Sequence, residues 1–179
     1  MSIMKEIIIR KVKSEDAEQY IALRNLVWKD AYKNIFPNEV FVAKDARANA
    51  EINDFDKVYY NDNKVITYVA VAENKIVGIL WGKMESEYEY FNALGYADLM
   101  AMYIHPEYQG LGIATRFKNI FTTWAKENGA KHFVIGVLKD NNKARKVYEK
   151  WGGKLSNYTN QFVQLNKDYE EVFYVYNIK

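Results

Sequence analysis

Residues 98–117 read Asp98-Leu-Met-Ala-Met-Tyr-Ile-His105-Pro106-Glu107-Tyr108-Gln109-Gly110-Leu111-Gly112-Ile113-Ala114-Thr115-Arg116-Phe117. An apolar run, Leu99 to Ile104, ends at a proline, and its apolar residues face both ways, as in a central strand covered on both sides. A short turn follows, with glycine at 110 and 112, and then a helical pattern: Ile113, Phe117, Ile120, Phe121 and Trp124 share one face. Strand, glycine turn and helix start together aim backbone N–H groups at an anion. Glycines without Cβ let that anion come close.

Two familiar phosphate-binding turns do not match. The dinucleotide fingerprint needs glycine or alanine where Thr115 stands, and the nucleoside triphosphate loop needs Gly-Lys-Ser/Thr. The turn does match Gln/Arg-x-x-Gly-x-Gly/Ala, as Gln109-Gly110-Leu111-Gly112-Ile113-Ala114. Taken alone, it is also an ordinary strand-to-helix turn.

Composition narrows the chemistry. The 179 residues suggest one domain, 1–179, with a substantial core, and 49% of them are apolar. A formal net charge of +2 gives no reason to expect nucleic acid or membrane binding. No apolar stretch approaches a membrane span, and Met1 to Arg10 lacks a signal-peptide layout, so the cytoplasm is the expected location. With no cysteine there is no thiol nucleophile and no zinc-thiolate site. Two histidines make no metal centre: His105 reads as a turn residue and His132 as the edge of a strand.

The flanking chain supplies the other elements. Ile7 to Val12 reads as a first strand, and Ser14 as the N-cap of a helix carrying Tyr20, Leu23, Leu26 and Val27. Ala46, Ala50, Ile52 and Phe55 suggest one further helix within 39–61. Val65 to Ala72 and Ile76 to Met84 form a hairpin about Glu73-Asn74-Lys75. Residues 85–96, acidic and aromatic, read as a loop. The helix from Ile113 ends at Asn128-Gly129; Phe133 to Leu138 is a strand; Ala144, Val147, Tyr148 and Trp151 mark a short helix stopped by Gly152-Gly153. Lys154 to Asn157 and Val172 to Ile178 are extended. Strands and helices mixed about a central hairpin predict an α+β fold.

Residues 141–153 carry a second constellation. Asn141, Ala144, Tyr148, Glu149, Lys150 and Gly152 match Asn-x-x-Ala-x-x-x-Tyr-Glu-Lys-x-Gly-Phe, with Gly153 standing where Phe or Tyr is usual. Together with the turn at Gln109, in the same order, this resembles the GNAT superfamily of N-acetyltransferases. Trp28-Lys-Asp-Ala-Tyr32 with Pro37 resembles an acceptor-side segment of its bacterial diamine and spermidine acetyltransferases.

The resemblance implies a mixed, mostly antiparallel central sheet flanked by helices on both faces. It also implies acetyl-CoA as cosubstrate, without a metal. N–H groups from Gly110, Leu111, Gly112, Ile113, Ala114 and Thr115, beside Gln109, would hold the pyrophosphate. The strand carrying Met102, Tyr103 and Ile104 would hold the pantetheine arm, with Asn141, Lys143 and Ala144 across from it. Tyr148 matches the family's acid, and a phenol with a pKa of about 10 stays protonated at neutral pH. Asp98 occupies the place of a water-mediated base; its other readings are a solvated carboxylate at a strand end or an ion-pair partner, and Glu85, Glu87 and Glu89 are alternative bases. Trp28, Tyr32, Glu85 and Glu87 are the expected acceptor contacts, for a small polyamine-like amine. A protein N-terminus, a lysine or an antibiotic amine is the alternative acceptor. A CoA-binding regulatory module without turnover is the rival from another class. A homodimer follows from family habit.

Overall fold

The computed structural model describes residues 6–60 and 62–179. Met1 to Lys5, which open the N-terminal layout read above, and Asn61, within the stretch read as one helix, lie outside the described residues. Seven strands form one sheet in the order β1-β2-β3-β4-β5-β7-β6. They are β1 (Ile8–Lys11), β2 (Val65–Ala72), β3 (Lys75–Lys83), β4 (Ala97–Ile104), β5 (His132–Leu138), β6 (Lys154–Gln164) and β7 (Lys167–Asn177). Every neighbouring pair is antiparallel except β4 and β5.

Helices cover both faces. On one lie α1 (Ala17–Tyr32), α2 (Asn38–Ala46), α3 (Ala48–Asn53) and α4 (Phe55–Tyr59). On the other lie α6 (Ile113–Glu127) and α7 (Asn142–Lys150), while α5 (Glu89–Ala93) lies between β3 and β4 in sequence. The apolar stripe of α6 buries Ile113, Phe117, Phe121 and Ala125 on the sheet. Gly82 of β3 makes that approach possible: a Cβ there would stand 2.4 and 2.7 Å from two atoms of the Phe121 ring. No helix of the described residues is long and apolar enough to cross a membrane.

Four local expectations change. The helix expected within 39–61 is three short ones, α2 to α4, which turn Val40, Phe41, Phe55 and Tyr59 inward in succession. Residues 85–96 contain α5, because Phe91 is pulled into an aromatic cluster with Val134 and Phe173. Ser14 does not cap α1; its hydroxyl donates to Asp56 Oδ2 (2.8 Å), and α1 follows a 3-10 turn braced by the Lys13 N–H donating to Asp16 Oδ2 (2.8 Å). Lastly, β6 and β7 form one long hairpin. Its polar outer edge disguises the inward alternation of Tyr158, Asn160 and Phe162.

At the end of α7, a Cβ on Gly153 would stand 2.6 Å from Tyr176 Oη. Tyr176 stacks on Phe133 at 4.4 Å between ring centroids and donates to the Tyr148 carbonyl (2.8 Å). The aromatic expected at 153 is therefore replaced by a ring from β7.

Gly82→Ala should destabilise the fold by about 1–3 kcal/mol, because a buried ring and a strand backbone must both give way. Urea unfolding checks this: the midpoint should fall with the slope unchanged.

Candidate active site

The site begins where two strands part. β4 and β5 pair only at Ala97–Phe133 and Asp98–Val134, after which β4 stays with β3 and β5 with β7. An irregularity in the β3–β4 register, between Trp81 and Lys83, falls at the same level. The His105 N–H donates to the Val77 carbonyl (2.9 Å). Antiparallel alternation then turns the Tyr103 and Ala101 backbone toward β3, and that of Met102 and Ile104 toward the gap. Tyr103 accordingly differs from its neighbours, and its ring packs on the α1 face.

Below the gap lies the glycine turn. Gly110 and Gly112 both have φ of +79°, and a Cβ on either would meet nothing within 4 Å. Gly112 is the N-cap of α6, with no side-chain cap and no acidic residue in the first turn. The N–H groups of Ile113, Ala114 and Thr115 therefore lack the acceptor that a helix start otherwise supplies from a side chain. Leu111 is exposed. The Gln109 amide donates to the Ile104 carbonyl (3.1 Å), and Lys143 Nζ donates to Gln109 Oε1 (2.9 Å). This places a cation beside the open turn. The open glycines, unclaimed N–H groups and Lys143 form a cradle with the chemistry of a pyrophosphate site, so the residues present fit a CoA-type cofactor.

Opposite β4, Asn141 caps α7: its Oδ1 accepts from the Ala144 N–H (3.2 Å). Tyr148 is half-buried on α7. Burial pushes its hydroxyl pKa up, and Tyr32 and Tyr176 add to this. Burial also raises Tyr32, against the pull of the neighbouring Asn141 amide. Tyr103 is raised by burial and then by Tyr32 and Tyr148. Phenols from α1, β4 and α7, anchored on opposite faces of the sheet, thus influence one another through the gap.

The face beneath α1 and α2 carries acid. Asp98 is 1% exposed and accepts from Ser86 Oγ at 2.6 Å. Burial raises its pKa to about 7; Ser86 and Lys83 pull down, while Glu87 and Glu171 push further up. It is therefore neither a solvated strand-end carboxylate nor a member of a close ion pair. Glu171 on β7, which the sequence reading missed, is also buried. It accepts from the Tyr88 hydroxyl at 2.9 and 2.8 Å and from Asn160 Nδ2 at 3.2 Å. Burial raises its pKa against both donors. The signal was present: Tyr169, Glu171 and Phe173 share one strand face, and a carboxylate between two buried aromatics needs a reason.

The expected acceptor contacts divide. Tyr32 reaches the junction with Asn141 and Tyr148. Trp28 does not line an open pocket: it is buried against Tyr32, Phe36 and Phe41, and its ring face already holds Lys44 Nζ at 4.7 Å. Glu85 is turned to Lys64 at the β2 side, and Glu87 pairs with Lys83 (2.5 Å) on the surface, near enough to act on Asp98. Glu89 opens α5 and is exposed. His105 accepts from the Glu107 N–H (3.3 Å) in its turn, and His132 stacks on Tyr96 at the start of β5. Among the described residues, no group of three or more His, Cys, Asp or Glu is placed to hold a metal ion.

The strand pair thus parts above a glycine-lined helix start, with a tyrosine across the gap, an arrangement with room for a CoA-type ligand. A profile of the family described as "Acetyltransferase (GNAT) family" matches residues 20–153, and the chain belongs to that family. It is 36% identical over 58 residues to the uncharacterized N-acetyltransferase YobR of Bacillus subtilis, a match spanning 32% of this chain and 24% of that protein. Its fold is similar to that of PaiA N-acetyltransferase from Thermoplasma acidophilum in complex with coenzyme A. The TM-score is 0.72 at 21% identity, covering 93% of this chain and 98% of that one. The Salmonella typhimurium YncA structure, which holds its cofactor acetyl-CoA, gives a TM-score of 0.62 at 14% identity over 97% and 94%.

Gly112→Val should weaken acetyl-CoA binding at least about tenfold, since a branched side chain both strains a left-handed position and fills the cradle. Titration calorimetry reads it directly.

Asp98 sets a pH dependence of stability. The folded chain keeps this proton to about pH 7, whereas an unfolded aspartate releases it near about 4. The native state binds more protons across that window, so stability falls as pH rises through it. Asp98→Asn should remove the penalty and raise the unfolding midpoint at pH 8 by more than at pH 4, in paired urea titrations.

Proposed function

We propose that this protein transfers the acetyl group of acetyl-CoA to a primary amine by direct attack, and that the acceptor is a small polyamine-like amine. The observation that carries the reading is the opening between β4 and β5. It has an uncapped, glycine-lined helix start on one side and buried carboxylates on the other, with Tyr148 near Tyr32 and Tyr103. The cofactor is held by the N–H groups of Gly110 to Thr115 with Gln109 and Lys143, by the Met102 and Ile104 backbone, and by Asn141 and Ala144.

In this reading the amine nitrogen attacks the thioester carbonyl carbon. The C–N bond forms as the C–S bond breaks. Asp98, with a pKa of about 7, takes the amine's proton directly or through water, near the pH at which a base works best. The Tyr148 O–H, held protonated by its surroundings, gives its proton to the departing sulfur. The chain has no cysteine to form an acyl-enzyme. The buried Glu171 carboxylate, with no ion-pair partner among the described residues, favours a cationic acceptor when ionised, which supports a diamine or polyamine over a neutral partner. The proposed setting is the cytoplasm.

The test is thiol release from acetyl-CoA with spermidine, spermine, lysine, a peptide N-terminus and an aminoglycoside. Release with the polyamines is expected. Release only with the peptide or aminoglycoside would replace the acceptor, and none at all, with acetyl-CoA bound, would remove the enzymatic reading. Tyr148→Phe should lower kcat by about 100-fold with acetyl-CoA affinity unchanged, as single-turnover kinetics and calorimetry together would show.

A further inference from the structure

Gly136 lies in the middle of β5, between Val134 and Leu138 on the face beneath α1 and α2. A Cβ there would stand 2.8 Å from Glu171 Oε1 and 3.0 Å from Phe173 Cε1. Glu171 pairs in register with Leu138, and Phe173 with Gly136. The Glu171 side chain therefore leans diagonally along the sheet and lies over the one β5 position that has no side chain. Burial is what chiefly raises the pKa of Asp98, Tyr32 and Tyr88, and from this position the charge of Glu171 adds to it in each. Its own hydrogen-bond donors, Tyr88 and Asn160, are both neutral, and no cationic side chain among the described residues forms an ion pair with it.

A buried carboxylate with only neutral donors has no counter-charge when ionised, which costs free energy unless a cation arrives. The Tyr88 hydroxyl and the Asn160 amide fix its position, and Gly136 leaves the room it occupies. Asp98 is committed differently. It carries a proton at neutral pH or receives one from the attacking nitrogen, so it does not serve as a lasting counter-charge for a second ammonium.

We propose that Glu171 is a substrate-positioning residue that binds a second cationic nitrogen of the acceptor, distinct from the nitrogen that is acetylated, and that Gly136 is glycine to let it do so. The site then selects amines bearing at least two positive charges over monoamines. This inference rests on the acetyl-transfer reading for its kinetic test, and not for its binding test.

The experiment compares the protein with its Glu171→Gln and Gly136→Ala variants. Calorimetry measures binding of spermidine and of butylamine to CoA-loaded protein, and thiol release gives KM and kcat for each amine. Glu171→Gln keeps the shape and one acceptor oxygen for the Tyr88 hydroxyl while removing the charge. It should weaken spermidine at least about tenfold in both Kd and KM, with butylamine and CoA binding changed little. Gly136→Ala should produce the same pattern by displacing the carboxylate, and thermal melts report whether it folds. Equal spermidine binding in the protein and in Glu171→Gln, including no binding in either, overturns the proposal. So does a loss of the same size for butylamine. Spermidine binding that depends on Glu171 without any thiol release upholds the anchor and removes the acetyl-transfer reading.

Discussion

The structure depends on two strands that cannot stay together. After Asp98 the parallel pairing of β4 and β5 stops, and each strand turns to its antiparallel partner. A break in the middle of a sheet leaves backbone donors and acceptors without their ladder, a cost that folded chains normally avoid. Here the break is supported from outside. The well-packed α6 holds the sheet below it, a hairpin of eleven-residue strands carries β5 away, and Gln109 claims one of the freed carbonyls. What is left unpaired is backbone at the lip of a cleft, the kind of surface an extended, amide-bearing ligand arm completes.

Electrostatics follow from the same geometry. The groups about the gap lose solvent without gaining opposite charge, so the pKa values of Asp98, Glu171, Tyr88, Tyr103 and Tyr148 all move up. For the phenols this secures the protonated form. For the carboxylates it raises proton affinity while keeping a negative field available to a cation. In the proposed reaction one structural cause thus serves both the proton donor and the groups that would receive a positive charge, and the fold accepts the instability this brings at Asp98.

Much of this was legible in the residues, for identifiable reasons. The turn at Gln109 to Thr115 and the helix from Asn141 are local motifs, in which short-range backbone chemistry constrains residue type, so sequence reads them well. The strands β2 to β5 follow from apolar runs. The buried acidic face was less legible because it is assembled from distant pieces: Ser86 with Asp98, and Tyr88 with Glu171 across 83 positions. Exposed acidic residues in 85–89 drew attention that belonged to Glu171, whose burial depends on a hairpin with polar alternation. Trp28 is a similar case: its aromaticity suggested a pocket wall, but its face was already occupied by Lys44. Gly153 reads as a departure from pattern until Tyr176, from another strand, is seen in its place.

The strand order β5-β7-β6 also governs the sequence in which the molecule can be completed. The last strand in chain order enters between two strands made before it, and it supplies Glu171 and Tyr176. Everything from β1 to α7 can be synthesised while β5 still lacks its main neighbour, because non-local pairing waits for the segment that makes it. A nascent chain would therefore carry the glycine turn and Asp98 early, yet lack Glu171 and its side of the proposed acceptor site until β7 has been added. Assembly itself delays the moment at which that side of the sheet is complete.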